Sequence, residues 1–155
     1  MDGIHTAIIG IGSLVMGDDA VGPRITEELR TIHTGRVQFY ELNTPAYDLI
    51  TYFHDYKNVI IIDAATFGAS PGEIRRVQRE EIIRWQPSAG TSMHDIDMIS
   101  VIDYASQLDM LPENLILYCI QIASAEMSEQ LTPAVEESIP RAVEMISADI
   151  TAFKT

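Results

Sequence analysis

Two adjacent carboxylates follow a glycine-rich turn near the start of the chain, in the segment from Gly10 to Gly22. Glycines permit tight turns and close approach of the backbone. The turn can therefore carry Asp18 and Asp19 from an apolar N-terminal strand to the rim of a sheet. Turn chemistry alone does not account for two carboxylates at such a place. The segment predicts a site that handles a cation or a proton.

Asp63 and His94 are the other residues whose types and positions fit such a site. Asp63 directly follows the run from Val59 to Ile62, which is typical of a strand buried on both faces. Ligands of open α/β sheets bind beyond the carboxyl ends of the strands, and Asp19 follows the first strand in the same way. His94 stands at the start of a strongly patterned helix. Two carboxylates and one imidazole form an O, O, N ligand set, which suits first-row divalent ions and leaves coordination positions open.

Each of these residues also has an ordinary structural interpretation. Asp19 could be a carboxylate at a helix N-terminus, where it caps free N–H groups. Asp63 could be a cap or a salt-bridge partner, and His94 a loop histidine bonded to the backbone. Their predicted placement on one rim favours a site.

Other chemistries fit the sequence less well. The third glycine of a dinucleotide-binding turn would fall on Val15, and the turn contains no lysine for a phosphate-binding loop. No two histidines are spaced as a zinc pair on one helix face. Cys119, the single cysteine, lies within an apolar strand and is expected to behave as a small buried hydrophobe.

Composition predicts one globular domain over residues 1–155, with 46% hydrophobic and 21% charged residues. The net charge of −13 argues against nucleic acids and anionic membranes as partners. One cysteine fits a reducing compartment, and neither a signal peptide nor a membrane-spanning run is present. We therefore expect a cytoplasmic protein, and a monomer.

Strand and helix patterns alternate along the chain, which predicts a three-layer α/β/α fold with a mostly parallel sheet of about five strands. Strands are expected at residues 6–9, 37–42, 59–62, 73–78 and 115–122, with 73–78 at an edge. Helices are expected at residues 20–30, 45–56, 80–85, 94–108 and 133–152, and an irregular loop at 86–93. Thr132 is the predicted N-cap of the last helix, in which Pro140 should cause a kink or mark a boundary.

Five segments, in order along essentially the whole chain, resemble the hydrogenase maturation proteases. These endopeptidases finish the large subunits of NiFe hydrogenases. The segments are Gly10-x-Gly12-x4-Gly17-Asp18-Asp19-x2-Gly22-Pro23, Val59-Ile60-Ile61-Ile62-Asp63-Ala64, Pro71-Gly72-Glu73-Ile74, Ser92-x-His94 and Leu131-Thr132-Pro133-x-Val135.

The resemblance implies a twisted sheet between helices and a defined reaction. Such enzymes remove a short C-terminal extension from the large-subunit precursor after nickel has been loaded, and nickel in the substrate is the recognition signal. Asp19, Asp63 and His94 match the metal-contacting positions of the family. Nickel would then be carried by the substrate, and the isolated protein would be metal-free.

Two mechanisms stay open at this point. The metal could polarise the scissile carbonyl or a water molecule. Alternatively, it only positions the peptide while a carboxylate acts as the base, with Asp19, Asp63 and Asp18 as the candidate catalytic residues. Two other function classes remain: a non-catalytic nickel-binding module or metallochaperone, and a Rossmann-like cofactor enzyme, which the broken glycine pattern disfavours.

Overall fold

The computed structural model describes residues 4–44, 47–84 and 93–153, apart from the side chains of residues 93–97. Its strands are β1 (Thr6–Ile11), β2 (Val37–Leu42), β3 (Asn58–Ala65), β4 (Ile74–Gln78) and β5 (Asn114–Gln121). They form one sheet in the order β2-β1-β3-β5-β4. All neighbours are parallel except β4 and β5, which are antiparallel. The predicted sheet of about five mostly parallel strands, with an edge strand at 73–78, is confirmed.

Helices cover both faces of this sheet, as the sequence predicts. The helices are α1 (Val21–Ile32), α2 (Leu49–Asp55), α3 (Arg79–Ile83), α4 (Met93–Gln107) and α5 (Pro133–Phe153). Helices α1 and α5 pack on one face, and α2, α3 and α4 pack on the other. Within the described residues, no helix is long and apolar enough to cross a membrane.

The β-branched run in β3 explains this layering. Ile60 and Ile62 pack into the core under α1 and α5, whereas Val59 and Ile61 pack into the core under α2 and α4. All four are fully buried, as expected for a central strand of a parallel sheet. Cys119 of β5 is buried in the core under α2 and α4, as predicted.

Two strands run further than the sequence predicts. Strand β1 continues through Gly10 to Ile11, and β3 continues through Asp63 to Ala65. The reason is pairing: Gly10 and Ile11 lie opposite Ile62 and Asp63, so the ladder that begins at Thr6 is unbroken. Asp63 consequently lies inside a strand and not after one.

Helix α5 is continuous through Pro140, so the expected boundary is absent. Proline removes one main-chain hydrogen bond from a helix. Pro140 lies on the exposed side, while Val135, Ile139 and Val143 are buried against the sheet on either side of it. This packing keeps the two halves in one helix.

Two predicted segments lie partly outside the described residues. The helix predicted from Pro45 begins at Leu49, and Pro45 itself is outside the described residues. The irregular loop predicted at residues 86–93 falls on undescribed positions up to residue 92, and α4 begins at Met93.

Candidate active site

A cavity of about 570 Å³ opens at the carboxyl ends of the parallel strands, which we call the carboxyl edge of the sheet. Ligands of open α/β sheets bind at this edge. Among the described residues that line the cavity, Asp19 has the one acidic or basic side chain. The lining residues are Ser13, Met16, Asp19, Asn43, Thr44, Ala64, Ala65, Thr66, Ile122 and Ala125.

Asp19 is held in the cavity wall by the turn that connects β1 to α1. It lies in a 3₁₀ turn, Gly17–Ala20, and its side chain is half-buried. The Ser13 main-chain N–H donates to Oδ2 of Asp19 at 2.8 Å. This bond orients the carboxylate and leaves it beside the open space of the cavity.

Gly12 makes room for Asp19. Its φ is +145°, a backbone conformation that residues other than glycine rarely adopt. A Cβ atom at Gly12 would lie 1.8 Å from the main-chain oxygen of Asp19 and 3.5 Å from its carboxyl carbon. The Asp19 carboxylate therefore lies directly beside the end of β1, and only glycine fits there.

Asp63 also lies near the end of β1, on the neighbouring strand β3. Its side chain is 2% exposed, and its residue pairs with Ile11 of β1, the neighbour of Gly12. Alternate residues of a strand share a face, so Asp63 lies on the same face as Ala65, about 7 Å deeper along the strand. Since Ala65 lines the cavity, Asp63 lies beneath the cavity floor, and the two aspartates converge on the end of β1.

His94 is the second residue of α4, and its side chain lies outside the described residues. The chain leaves α4 at Gln107 and enters β5 at Asn114, which is at the amino end of the sheet. The N-terminus of α4 is therefore directed toward the carboxyl edge. Helix α4 also covers the face of the sheet on which Asp63 lies. The backbone of His94 is thus on the side of the sheet that the predicted site requires.

Asp18 is turned away from the cavity and is fully buried. Its Oδ2 accepts the N–H groups of Ala123 at 2.9 Å and Ser124 at 3.1 Å, and its Oδ1 accepts the Thr132 N–H at 2.7 Å. The Thr132 hydroxyl donates to the same carboxylate. Burial raises the pKa of Asp18, but these hydrogen bonds outweigh it and hold the pKa below its ordinary value of 3.8. Asp18 therefore joins the turn before α1 to the loop before α5.

Neither aspartate caps α1, so the ordinary structural interpretation of Asp19 as a helix cap is wrong. The N-cap of α1 is Ala20, and no side-chain hydrogen bond caps that helix or the 3₁₀ turn. The reason is that the 3₁₀ turn separates both carboxylates from the first free N–H groups of the helix. Asp19 instead accepts the Ser13 N–H of its own turn, and Asp18 accepts N–H groups of the loop before α5.

Gln121, at the end of β5, is a site residue to which the sequence assigned no role. Its Oε1 accepts the N–H groups of Phe67 at 2.8 Å and Ala69 at 3.3 Å, and its Nε2 donates to the carbonyl of Ile122 at 3.0 Å. These bonds fix the loop after Thr66, which lines the cavity. A polar residue at the end of a buried apolar strand is the signal that could have identified it, as it identified Asp63.

The described residues contain no group of three histidine, cysteine or acidic residues close enough to hold a metal ion. Asp19 and Asp63 are two of the three predicted ligands, and the imidazole of His94 falls outside the described part. The described part of the chain thus presents one half-buried carboxylate to the cavity, that of Asp19, and a second, almost fully buried one, that of Asp63, which does not line it.

Comparison with known proteins gives one consistent answer. The model of the family described as hydrogenase maturation protease matches residues 23–149. The hydrogenase 2 maturation protease of Escherichia coli is 28% identical over 147 residues, which are 91% of this chain and 87% of that protein. The hydrogenase expression/formation protein HupD of Thiocapsa roseopersicina is 27% identical over 149 residues, 94% of this chain and 67% of that protein.

A solved structure agrees with these sequence matches. The hydrogenase maturating endopeptidase HybD from E. coli superposes with a TM-score of 0.82 at 25% identity, covering 96% of this chain and 93% of that one. The three-layer arrangement is therefore shared along nearly the whole chain.

Proposed function

Because the chain belongs to the hydrogenase maturation protease family and is thus a peptidase, we propose that it removes the C-terminal extension of a NiFe hydrogenase large-subunit precursor. The observation that carries this proposal is the cavity at the carboxyl edge, with Asp19 in its wall and Asp63 beneath its floor. Its volume of about 570 Å³ accommodates a few residues of an extended peptide.

We further propose that nickel in the precursor is the recognition signal. Thiolates of the precursor would hold the ion, and Asp19, Asp63 and His94 would complete its coordination. Carboxylate and imidazole ligands are compatible with such an ion. The convergence of Asp19 and Asp63 on the end of β1 supports this set, as does the position of the His94 backbone at the same edge.

Peptide hydrolysis requires a water molecule to attack the scissile carbonyl carbon while a base accepts one of its protons. Asp19 is the carboxylate in the wall of the open cavity, so we assign the proton-accepting role to its second oxygen, the first being the one that would coordinate nickel. Asp18 is disfavoured as the base, because its carboxylate is buried, bonded to three N–H groups and one hydroxyl, and lowered in pKa. Nickel on the substrate would polarise the carbonyl oxygen and hold the scissile bond in place.

The test is to mix the purified protein with nickel-loaded and nickel-free precursor and to measure the intact mass of each. We expect only the loaded precursor to be shortened. Equal cleavage of both would contradict nickel recognition, and nickel-dependent association without loss of mass would contradict hydrolysis.

Variants test the residues of the site in the same assay. Asp63→Asn and His94→Ala should both abolish cleavage, whereas Asp103→Asn, which changes an exposed carboxylate on α4, should not. Full cleavage by either site variant would remove that residue from the proposed ligand set.

A further inference from the structure

Three exposed apolar side chains stand on the two loops that form one wall of the cavity. Leu14 is 56% exposed, Val15 is 52% exposed and Met127 is 84% exposed. We call these three residues the apolar rim. Single exposed apolar residues are common on protein surfaces. A group of them beside a cavity is a feature of interaction sites.

The two loops of the apolar rim are paired through their main chains. The Ser128 N–H donates to the carbonyl of Val15 at 2.9 Å, and the Gly17 N–H donates to the carbonyl of Ser128 at 2.9 Å. Met16 and Ser128 thereby form a parallel bridge. The buried carboxylate of Asp18, in the first loop, also accepts the N–H groups of Ala123 and Ser124 at the start of the second loop. The apolar rim is thus held in place before any partner binds, which lowers the entropic cost of docking.

The apolar rim is continuous with the cavity. Met16 follows Val15, and Ala125 lies two residues before Met127; both Met16 and Ala125 line the cavity. A peptide that enters the cavity from this side therefore crosses the apolar rim.

The charge around the apolar rim selects the kind of partner. Glu126 and Glu129 flank Met127, and both are exposed. Segments 13–19 and 123–132 contain no lysine or arginine. Opposite charges across an interface favour encounter and fix its orientation.

We propose that the apolar rim and its flanking glutamates dock a segment of the precursor that is apolar and carries basic residues near the scissile bond. This inference rests on the proposed function, because the partner is the substrate of the same site. It assigns a specificity surface outside the three expected metal-contacting residues.

The first test compares Leu14→Ser/Met127→Ser with the double control Ile32→Ser/Leu108→Ser. Ile32 is 57% exposed at the end of α1 and Leu108 is 50% exposed just after α4, both away from the cavity, so the number and kind of substitutions are matched. With nickel-loaded precursor, the rim variant should raise KM by about tenfold while kcat is unchanged, because truncation of interface anchors weakens binding by this order. The control should stay within about twofold of wild type.

The second test reverses charge and leaves the apolar side chains intact. Glu126→Lys/Glu129→Lys should raise KM several-fold at low salt, and the difference from wild type should shrink at high salt, where exposed charges are screened. Glu28→Lys/Glu144→Lys, which reverses two exposed charges on α1 and α5, is the control with the same change in net charge and should leave KM unchanged.

The outcomes separate the two proposals. If wild-type protein leaves the nickel-loaded precursor intact, the proposed function fails and the docking inference fails with it. If wild type cleaves but the rim and charge-reversal variants match their controls, the docking inference alone is overturned.

Discussion

The carboxylate of Asp18 accepts both the main-chain N–H and the hydroxyl of Thr132, a residue 114 positions later in the chain. The same carboxylate accepts N–H groups from Ala123 and Ser124. One buried side chain therefore positions the turn that carries Asp19 relative to the neighbouring loop of residues 123–132, which belongs to the same wall of the cavity. The two adjacent aspartates thus have different roles. Asp18 connects the loops around the site, and Asp19 faces the cavity.

Replacing Asp18 with Asn should destabilise the fold by about 3 kcal/mol, because buried N–H donors then lose a charged acceptor and face an amide donor. Urea unfolding at neutral pH measures the change. Asp103→Asn, on the exposed surface of α4, is the matched control and should change stability by less than about 0.5 kcal/mol.

Wild type and Asp18→Asn should also differ in how their stability depends on pH. The pKa of Asp18 in the folded state is lower than 3.8, its ordinary value. Its contribution to stability is therefore complete above pH 3.8 and is lost as pH falls through the lower folded-state pKa. The stability difference between wild type and Asp18→Asn should be constant near neutral pH and should shrink below pH 3.8. A difference that widens toward acid would contradict the assignment.

Gly12→Ala should disrupt the site by steric overlap with Asp19. Gly35 has a φ of +104°, but a Cβ atom added there would meet nothing within 4 Å, so Gly35→Ala measures backbone strain alone. We expect Gly12→Ala to cost at least about 2 kcal/mol more than Gly35→Ala, since it adds displacement of a main-chain oxygen to that strain. Equal losses in urea unfolding would show that Asp19 moves without cost.

Gln121→Ala should loosen the loop after β3 without unfolding the protein. The N–H groups of Phe67 and Ala69 lose their acceptor, at a cost of about 1–3 kcal/mol. Amide hydrogen exchange measures this directly: the Phe67 and Ala69 amides should exchange faster, whereas the Asn58 amide, bonded to the carbonyl of His5 at the other end of β3, should not change. Unchanged exchange at Phe67 would contradict the role given to Gln121.

Asp149 of α5 should matter for stability but not for cleavage. It accepts hydrogen bonds from Arg76 of β4 at 2.8 and 2.9 Å and from the hydroxyl of buried Tyr118. Burial and the Asp149 carboxylate both raise the pKa of Tyr118, so the hydroxyl stays protonated and donates. Asp149→Ala should cost about 3 kcal/mol, because the buried Tyr118 hydroxyl and the half-buried Arg76 guanidinium lose their shared acceptor.

The control for Asp149→Ala is Glu113→Ala. Glu113 pairs with Lys57 at 3.4 Å, and both side chains are more than half exposed, so its loss should cost less than about 0.5 kcal/mol. Precursor cleavage below the unfolding temperature should be unaffected in both variants. A large fall in kcat for Asp149→Ala would contradict the placement of this cluster outside the site.

Local patterns suffice to predict the layers of this fold. The apolar run of β3 predicts a central strand, because burial on both faces leaves a strong signature over a few residues. Strand β2 also has the predicted bounds, although it lies at an edge of the sheet and is mostly half-buried. The end of β1 escapes prediction because Gly10 looks like a strand terminator when its neighbours are unknown. Pro140 predicts a kink or an end to the helix, and packing on either side of it keeps α5 continuous.

The sequence predicts which residue types lie at the site, but it does not predict the separate roles of Asp18 and Asp19. Asp19 and Asp63 follow from the rule that ligands bind at the carboxyl edge. The bonds of Asp18 reach residues 105 to 114 positions away, and no spacing in the sequence encodes such a contact. Gln121 has a recognisable position at the end of a strand, but its role escapes prediction for the same reason, since the N–H groups that its side chain accepts lie 52 to 54 positions earlier.

The order of strands in the sheet has a consequence for synthesis of the chain. Strand β4 is at the edge and pairs with β5, which is made after it and lies between β3 and β4. When the ribosome has synthesised residues 1–113, β4 has been made but its sheet neighbour β5 has not. The turn with Asp18 and Asp19 likewise lacks the loop that secures it. Folding must wait for these distant pairings, which slows it. A truncated nascent chain consequently carries the pieces of the candidate active site but cannot assemble them.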